Sequence, residues 1–170
     1  MILGMQNARS IDGVELAARI RQWGRELGFD AIGIAGTALD AAETGLQDWL
    51  AAGFHGEMDY MASHGTKRSR PAELAPGTVS VITARMNYLP QAAPMETVLA
   101  DGARAAISRY ALGRDYHKVM RARLQKLAER IGAEVGPFGH RVFTDSAPVL
   151  EVALAEKAGL GWRGKHTLLI

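Results

Sequence analysis

The 170-residue chain contains no cysteine. Disulfides, zinc–thiolate centres and iron–sulfur clusters held by this segment are therefore excluded. Nor does any apolar run approach the roughly 18 residues that a membrane-spanning helix requires. The opening MILGMQNARSIDG has a short apolar patch but no basic leader or cleavage site, so no signal peptide is expected. Charge of one sign is scarce as well. A net +2 barely counts as basic and does not by itself announce a nucleic-acid binder. The five histidines, His55, His64, His117, His140 and His166, show no convincing metal-ligand spacing. No metal site is expected within the segment, and a zinc hydrolase is disfavoured. These absences leave a single cytoplasmic domain over residues 1–170, monomeric and without membrane contact.

What is present suits such a domain: 48% apolar and 22% charged residues, the balance of an ordinary globular protein. Leu16, Ile20, Trp23 and Leu27 form an apolar stripe, predicting a helix from about Val14 to Leu27. Asp12 and Glu15 make a plausible capping box for it, and Gly28 a stop. Phe29 to Ala35 reads as a short buried strand, and Leu39 to Ala52 as a second helix. Met58 to Ser63 should be irregular or briefly helical. Val79 to Met86 is β-branched and apolar, as befits a central strand. Gln91 to Asp101, beside Pro90 and Pro94, suggests a loop with one short element, and Ala105 to Tyr110 a further strand. Tyr116, Met120, Leu124, Leu127 and Ile131 predict the longest helix, stopped by Gly132. Glu134 to Val135 and Arg141 to Phe143 look strand-like, and Ala147 to Ala158 helical. Helices and strands intermix without a steady alternation, so the expectation is an α+β fold: a layered sheet flanked by helices.

The most informative stretch is RVFTDSAPVLEVALAEKAGLGWRGKHTLLI, from Arg141 to Ile170. It sets one acid, Asp145, between a strand-like run and a helix with Pro148 near its first turn. The cationic, glycine-rich turn Gly161-Trp162-Arg163-Gly164-Lys165-His166 follows. An acid at a strand end near a basic loop can build a pocket for a phosphate-bearing ligand. Asp145 or Ser146 could equally be a helix N-cap, and the glycine turn a decorated surface hairpin. As a proton donor near neutral pH, Asp145 would need burial to outweigh the helix dipole. Met58 and Met61 flank Tyr60, either as core or as an adaptable wall over a flat ligand. Two cationic groups, Lys67-Arg68-Ser69-Arg70 and the series Arg114, Lys118, Arg121, Arg123, Lys126, Arg130, are either solvated faces or phosphate contacts.

Five blocks in order, HGEMDYM, RSRPAELAPGTVSVI, Asn87-Tyr88, ISRYALGRDYHKVM and DSAPVLE with GLGWRGKHT, resemble the epoxyqueuosine reductase family along nearly the whole chain. The resemblance implies a nitroreductase-like cobalamin domain. It also implies reduction of epoxyqueuosine to queuosine at the wobble position of tRNA, with electrons arriving through two 4Fe-4S clusters. Asp145 would be the proton donor. Tyr110, Arg141, Gly161, Trp162, Gly164, Lys165 and His166 would contact the cofactor, and Met58, Tyr60 and Met61 the substrate. In the family, eight cluster-binding cysteines follow the GKHT block. The segment is therefore expected to be the N-terminal part, lacking the iron–sulfur domain, binding no cluster and inactive alone. Two rival readings stay open: a flavin-binding nitroreductase-like domain, and a non-catalytic RNA-binding module.

Overall fold

A computed structural model describes residues 12–89 and 91–170. The reading of the first residues as free of a signal peptide lies outside them, as does Pro90. The order of elements is α1 (Gly13–Glu26), β1 (Ala31–Gly36), α2 (Asp40–Ala51), α3 (Pro71–Leu74), β2 (Ser80–Arg85), α4 (Met95–Leu99), α5 (Tyr116–Val135) and α6 (Glu151–Lys157). The chain is a mixed helix-and-sheet protein.

Asp12 starts α1 by accepting the Val14 N–H at 2.8 Å. No reciprocal bond from Glu15 is seen, so the cap is single rather than a box. The predicted stripe faces inward. Ile20 is buried, and Leu16, Trp23 and Leu27 pack around a core of Ile20, Phe29, Ile32, Leu127 and Ile131. Helix and strand meet closely at Gly24, where an added Cβ would lie 2.2 Å from Ile32 Cγ1. Only glycine allows that approach.

The strands β1 and β2 pair antiparallel, with Ile34 opposite Ile82 and Gly33 opposite Thr83. Neighbouring residues of a strand point to opposite faces. Ile32 meets α1, while a Cβ on Gly33 would meet Ala158 and Leu160 beyond α6. Helical structure thus lies against both faces of this small sheet.

Helix α5 packs beside α1, clipped at its rim by Arg19–Glu134 at 2.5 Å and Arg130–Glu26 at 2.6 Å. It runs four residues past the expected stop and ends at Gly136, φ 87°. A glycine inside a helix costs about 1 kcal/mol relative to alanine. Ile131 and Val135, on either side of Gly132, both pack on the core. Continuing the helix keeps both apolar contacts, which outweighs that cost.

Four further expectations change. Ala105 to Tyr110 forms no strand; it leads into a 3-10 turn at Arg109–Ala111. Glu134 to Val135 belongs to α5, and Arg141 to Phe143 pairs with no strand among the described residues. The last helix begins at Glu151, not Ala147, because the preceding amides bond elsewhere. Val149 donates to Ala147 O at 2.9 Å and Leu150 to Arg68 O at 3.0 Å. Pro148 has no N–H to offer at all.

Candidate functional site

The start of α5 assembles the polar cluster. Asp115 caps the helix by accepting the His117 N–H at 3.0 Å. The same carboxylate oxygen lies 3.0 Å from His117 Nδ1. Capping fixes the backbone, so the first two helical residues, Tyr116 and His117, project from a rigid end. Their rings stack at 4.0 Å between centroids. The Tyr116 hydroxyl donates a short hydrogen bond to Asp145 Oδ2. His117 Nε2 lies 3.5 Å from the same oxygen, so the imidazole bridges Asp115 and Asp145.

Asp145 is thus no helix cap. It sits six residues before α6, whose own N-cap residue, Leu150, provides no side-chain bond. Its backbone φ of 52° is unusual for a residue other than glycine, though Asp and Asn tolerate it better than most. The side chain is half exposed, at 48%. Glu151, in the first turn of α6, is its carboxyl neighbour. Loss of solvent first, and the Asp145 charge second, hold Glu151 above the usual carboxylate range. The hydrogen bond to Asp145 pushes the Tyr116 phenol up to about 12, assisted by burial and by the negative charge. Asp115 is held below its usual value, chiefly by its bond to the His117 ring.

An open cavity of about 260 Å³ adjoins this cluster, lined by Tyr88, Tyr110, Tyr116, Asp30, Arg114 and Arg123 among others. The tyrosines form an edge-to-face chain: Tyr88 to Tyr110 at 6.5 Å, Tyr110 to Tyr116 at 5.9 Å. Arg123 reaches in from α5 and donates to Gly28 O at 2.9 Å. Such a cavity offers aromatic faces, two guanidinium groups and one acid beside a phenol already bonded to Asp145. It suits a partly apolar ligand with hydrogen-bonding edges.

Of the residues expected at a site, the fold brings Tyr110 and Asp145 together, joined through Tyr116. The others lie in separate settings. Arg141 donates to Leu74 O at 3.0 Å, with its guanidinium 4.9 Å from the Phe143 ring centroid. Met58, Tyr60 and Met61 form a turn strapped down by Arg68, which donates to Tyr60 O at 2.6 Å and Met61 O at 3.0 Å. None of the three lines the cavity.

The stretch from Gly161 folds into a small hairpin. Trp162 and Ile170 exchange backbone bonds, and Gly164 N–H donates to Leu168 O at 2.9 Å. An added Cβ on Gly161 would lie 2.2 Å from Ile170 O, so the closure of the hairpin itself demands glycine. Trp162, Lys165 and His166 remain exposed on it. In the Lys67–Arg70 cluster, Arg68 is spent on that strap and Arg70 pairs with Glu43 at 2.7 Å and Glu73 at 3.1 Å.

Sequence reasoning missed Tyr116 and Glu151 as members of the site. Tyr116 counted only as the first residue of an apolar stripe, and Glu151 as an ordinary helix residue. The available signal was Asp115-Tyr116-His117 itself, a cap followed by two hydrogen-bonding aromatics at a helix start.

The family model described as "Epoxyqueuosine reductase QueG, DUF1730" matches residues 68–146, a span holding both Tyr116 and Asp145. Among curated proteins, the epoxyqueuosine reductase of Alicycliphilus denitrificans is 64% identical over 162 residues, covering 92% of this chain and 45% of its own. That of Pseudomonas aeruginosa is 64% identical over 159 residues, covering 94% of this chain and 44% of its own. Solved structures share the fold. One is epoxyqueuosine reductase from Bacillus subtilis, described with an aspartate-bearing catalytic loop swung out of the active site. It gives a TM-score of 0.75 at 21% identity, over 93% of this chain and 41% of its own. Another holds a tRNA-Tyr stem loop modified with epoxyqueuosine, with a TM-score of 0.70 at 22% identity, over 93% and 42%. Relatives and structures alike are reductases. The chain belongs to the epoxyqueuosine reductase family, and it spans a little under half the length of the curated relatives it matches.

Proposed function

We propose that this chain is the substrate- and cofactor-binding part of a cytoplasmic enzyme that reduces epoxyqueuosine to queuosine at the wobble position of tRNA. Asp145 is its proton donor. The observation that carries the reading is the placement of Asp145, bridged by His117 and held by Tyr116, which lines the aromatic cavity on the same helix end. The close relatedness to named epoxyqueuosine reductases supports it.

Removing an epoxide oxygen as water takes up two electrons and two protons. This chain's part is binding and proton delivery. A half-exposed carboxyl at a cavity edge can reach a substrate oxygen and be re-protonated from solvent. Glu151, held toward its protonated form, is a second proton carrier beside it. The Tyr88–Tyr110–Tyr116 chain gives faces against which a nucleobase can pack.

Cobalamin is the cofactor that the family implies, and the residues present suit a large amphipathic ring system. Trp162 is 61% exposed on its hairpin, and Tyr60 60% and Met58 41% on theirs, a turn strapped by Arg68: two apolar surfaces open to a ligand. Lys165 and His166 would meet its amide edges, with Gly161 and Gly164 shaping the turn that carries them. Arg141, lying over the Phe143 ring, and Tyr110, in the cavity, would add contacts of their own. Met58, Tyr60 and Met61 would line the approach for substrate. When bound, cobalamin supplies the electrons for the reduction. The absence of cysteine means that 4Fe-4S clusters feeding it would be held by sequence outside this segment. The sheet with helical structure against both faces supports a nitroreductase-like layering.

For the nucleic acid, Arg114, Lys118, Arg121 and Lys126 pair with no carboxylate among the described residues, whereas Arg123 and Arg130 are used internally. Four free cations along one helix and its approach are suited to phosphate contacts. The test is direct. The chain is titrated with cobalamin and, separately, with flavin mononucleotide, followed by absorption, and the full-length reductase is assayed for queuosine in tRNA. A spectral change with cobalamin together with queuosine formation is expected. Flavin binding alone, or tRNA binding without turnover, would overturn the proposal.

A further inference from the structure

The segment carrying Asp145 is costly to hold in its docked position. Asp145 has φ 52°, and the adjacent Thr144 hydroxyl is buried with no partner among the described residues. Left-handed backbone outside glycine and a buried unpaired hydroxyl each disfavour the docked state. From Thr144 to Leu150 the chain has no regular secondary structure. Its C-terminal end is tied by the Leu150 N–H on Arg68 O at 3.0 Å. Toward Asp145 itself, the described contacts come from side chains: Tyr116, His117 and Glu151.

We propose that Tyr116 is a positioning residue: its phenol, backed by the stacked His117, is the latch that keeps the Asp145 loop docked at the start of α5. Three properties fit the phenol for that role. It stands on a capped, twenty-residue helix, so it does not move with the loop. It also lines the cavity on its other side, next to Tyr110, so an occupant of the cavity touches the latch. Finally, it donates to a charged acceptor, the stronger kind of hydrogen bond. The acceptor's charge is felt in return, since it helps to push the phenol up to about 12. In this chain the group that is held is also the one proposed to react, once its carboxylate has taken up a proton from solvent.

The inference rests on the reading of Asp145 as the acid for its catalytic arm only. The test uses Tyr116→Phe, which keeps the ring and its stacking. In this chain, hydrogen exchange of the amides of residues 144–147, 149 and 150 should quicken about tenfold, the loss expected for one charge-assisted hydrogen bond. In the full-length reductase, kcat should fall about tenfold with KM unchanged. Unchanged exchange overturns the latch whatever happens to turnover. Quickened exchange with unchanged kcat overturns the positioning role. As a second variant, Asp145→Ala removes the acceptor and its charge together, so the Tyr116 phenol, followed by ultraviolet absorbance, should ionise below about 12, toward its usual 10. An unmoved phenol would mean that the contact does not exist in solution. That readout is independent of whether Asp145 is the acid.

Discussion

The two regions of this molecule are built on different principles. One is the α1–β1–β2–α5 core, where Ile20, Phe29, Ile32, Leu127 and Ile131 interlock out of water. The other is the open face formed by the start of α5 and the irregular segments around Tyr88, Tyr110 and Asp145. There Tyr88, Tyr110 and Asp145 are about half exposed, and Asp145 is held by the polar groups of Tyr116 and His117. Burial fixes the first region without regard to direction. Directional bonds between few groups fix the second, and they leave its members accessible to a ligand. Stability and reactivity are thus supplied by different residues, although α5 belongs to both: Tyr116 opens it at the site and Leu127 closes the core three turns on.

This division can be broken at its strongest point first. Leu127 is 2% exposed, so Leu127→Ala should remove roughly 2–5 kcal/mol of stability, read by urea or thermal unfolding. A loss well under 1 kcal/mol would mean that the core is not where folding energy resides. Next in size is Asp145→Asn, with the opposite signature. Turnover by the full-length reductase should fall by at least about 10²-fold, the lower end of what a positioned acid contributes. Stability should barely move, because Asn tolerates positive φ as Asp does and still accepts from Tyr116. Near-normal turnover would remove Asp145 from the chemistry.

The smallest effect sharpens the boundary between the regions. Bonds from Arg70, then Ser69, lower Glu43 from 4.5 to about 2. A carboxylate with its folded pKa depressed stabilises the protein above the unfolded value and loses that contribution as pH falls toward the folded one. Acid titration of stability should therefore show a component between about pH 4.5 and 2 that Glu43→Gln lacks. An identical acid limb in both proteins would show that the Glu43–Arg70 pair is idle.

Much of this was legible before any coordinates. The stripe Leu16–Ile20–Trp23–Leu27 predicted α1 to within a residue at each end, and the β-branched run at Val79–Met86 predicted β2. Both are local patterns, with a helix reporting its buried face every three to four residues and a strand its apolar content. The ordered blocks around HGEMDYM, SRYALGRDYH and DSAP pointed to the right family for another reason: they sit largely outside the core, where chemistry, not packing, dictates the residue. Less legible were the segments whose amides bond at a distance. The sequence pattern starts α6 four residues early because nothing in DSAPVL reveals that Leu150 donates to Arg68 O.

By itself, then, the sequence determined the core-forming helices and strands, the family, and Asp145 as the acid worth watching. Periodicity and residue type are properties of neighbours along a chain. Only the tertiary structure decided that Asp145 caps no helix, that its carboxylate meets Tyr116 across 29 residues, and that His117 joins it to Asp115. Such contacts depend on where two distant backbones end up. A hydrogen bond across that separation is set by the packing of α5 on the core, which no local pattern around Asp145 records.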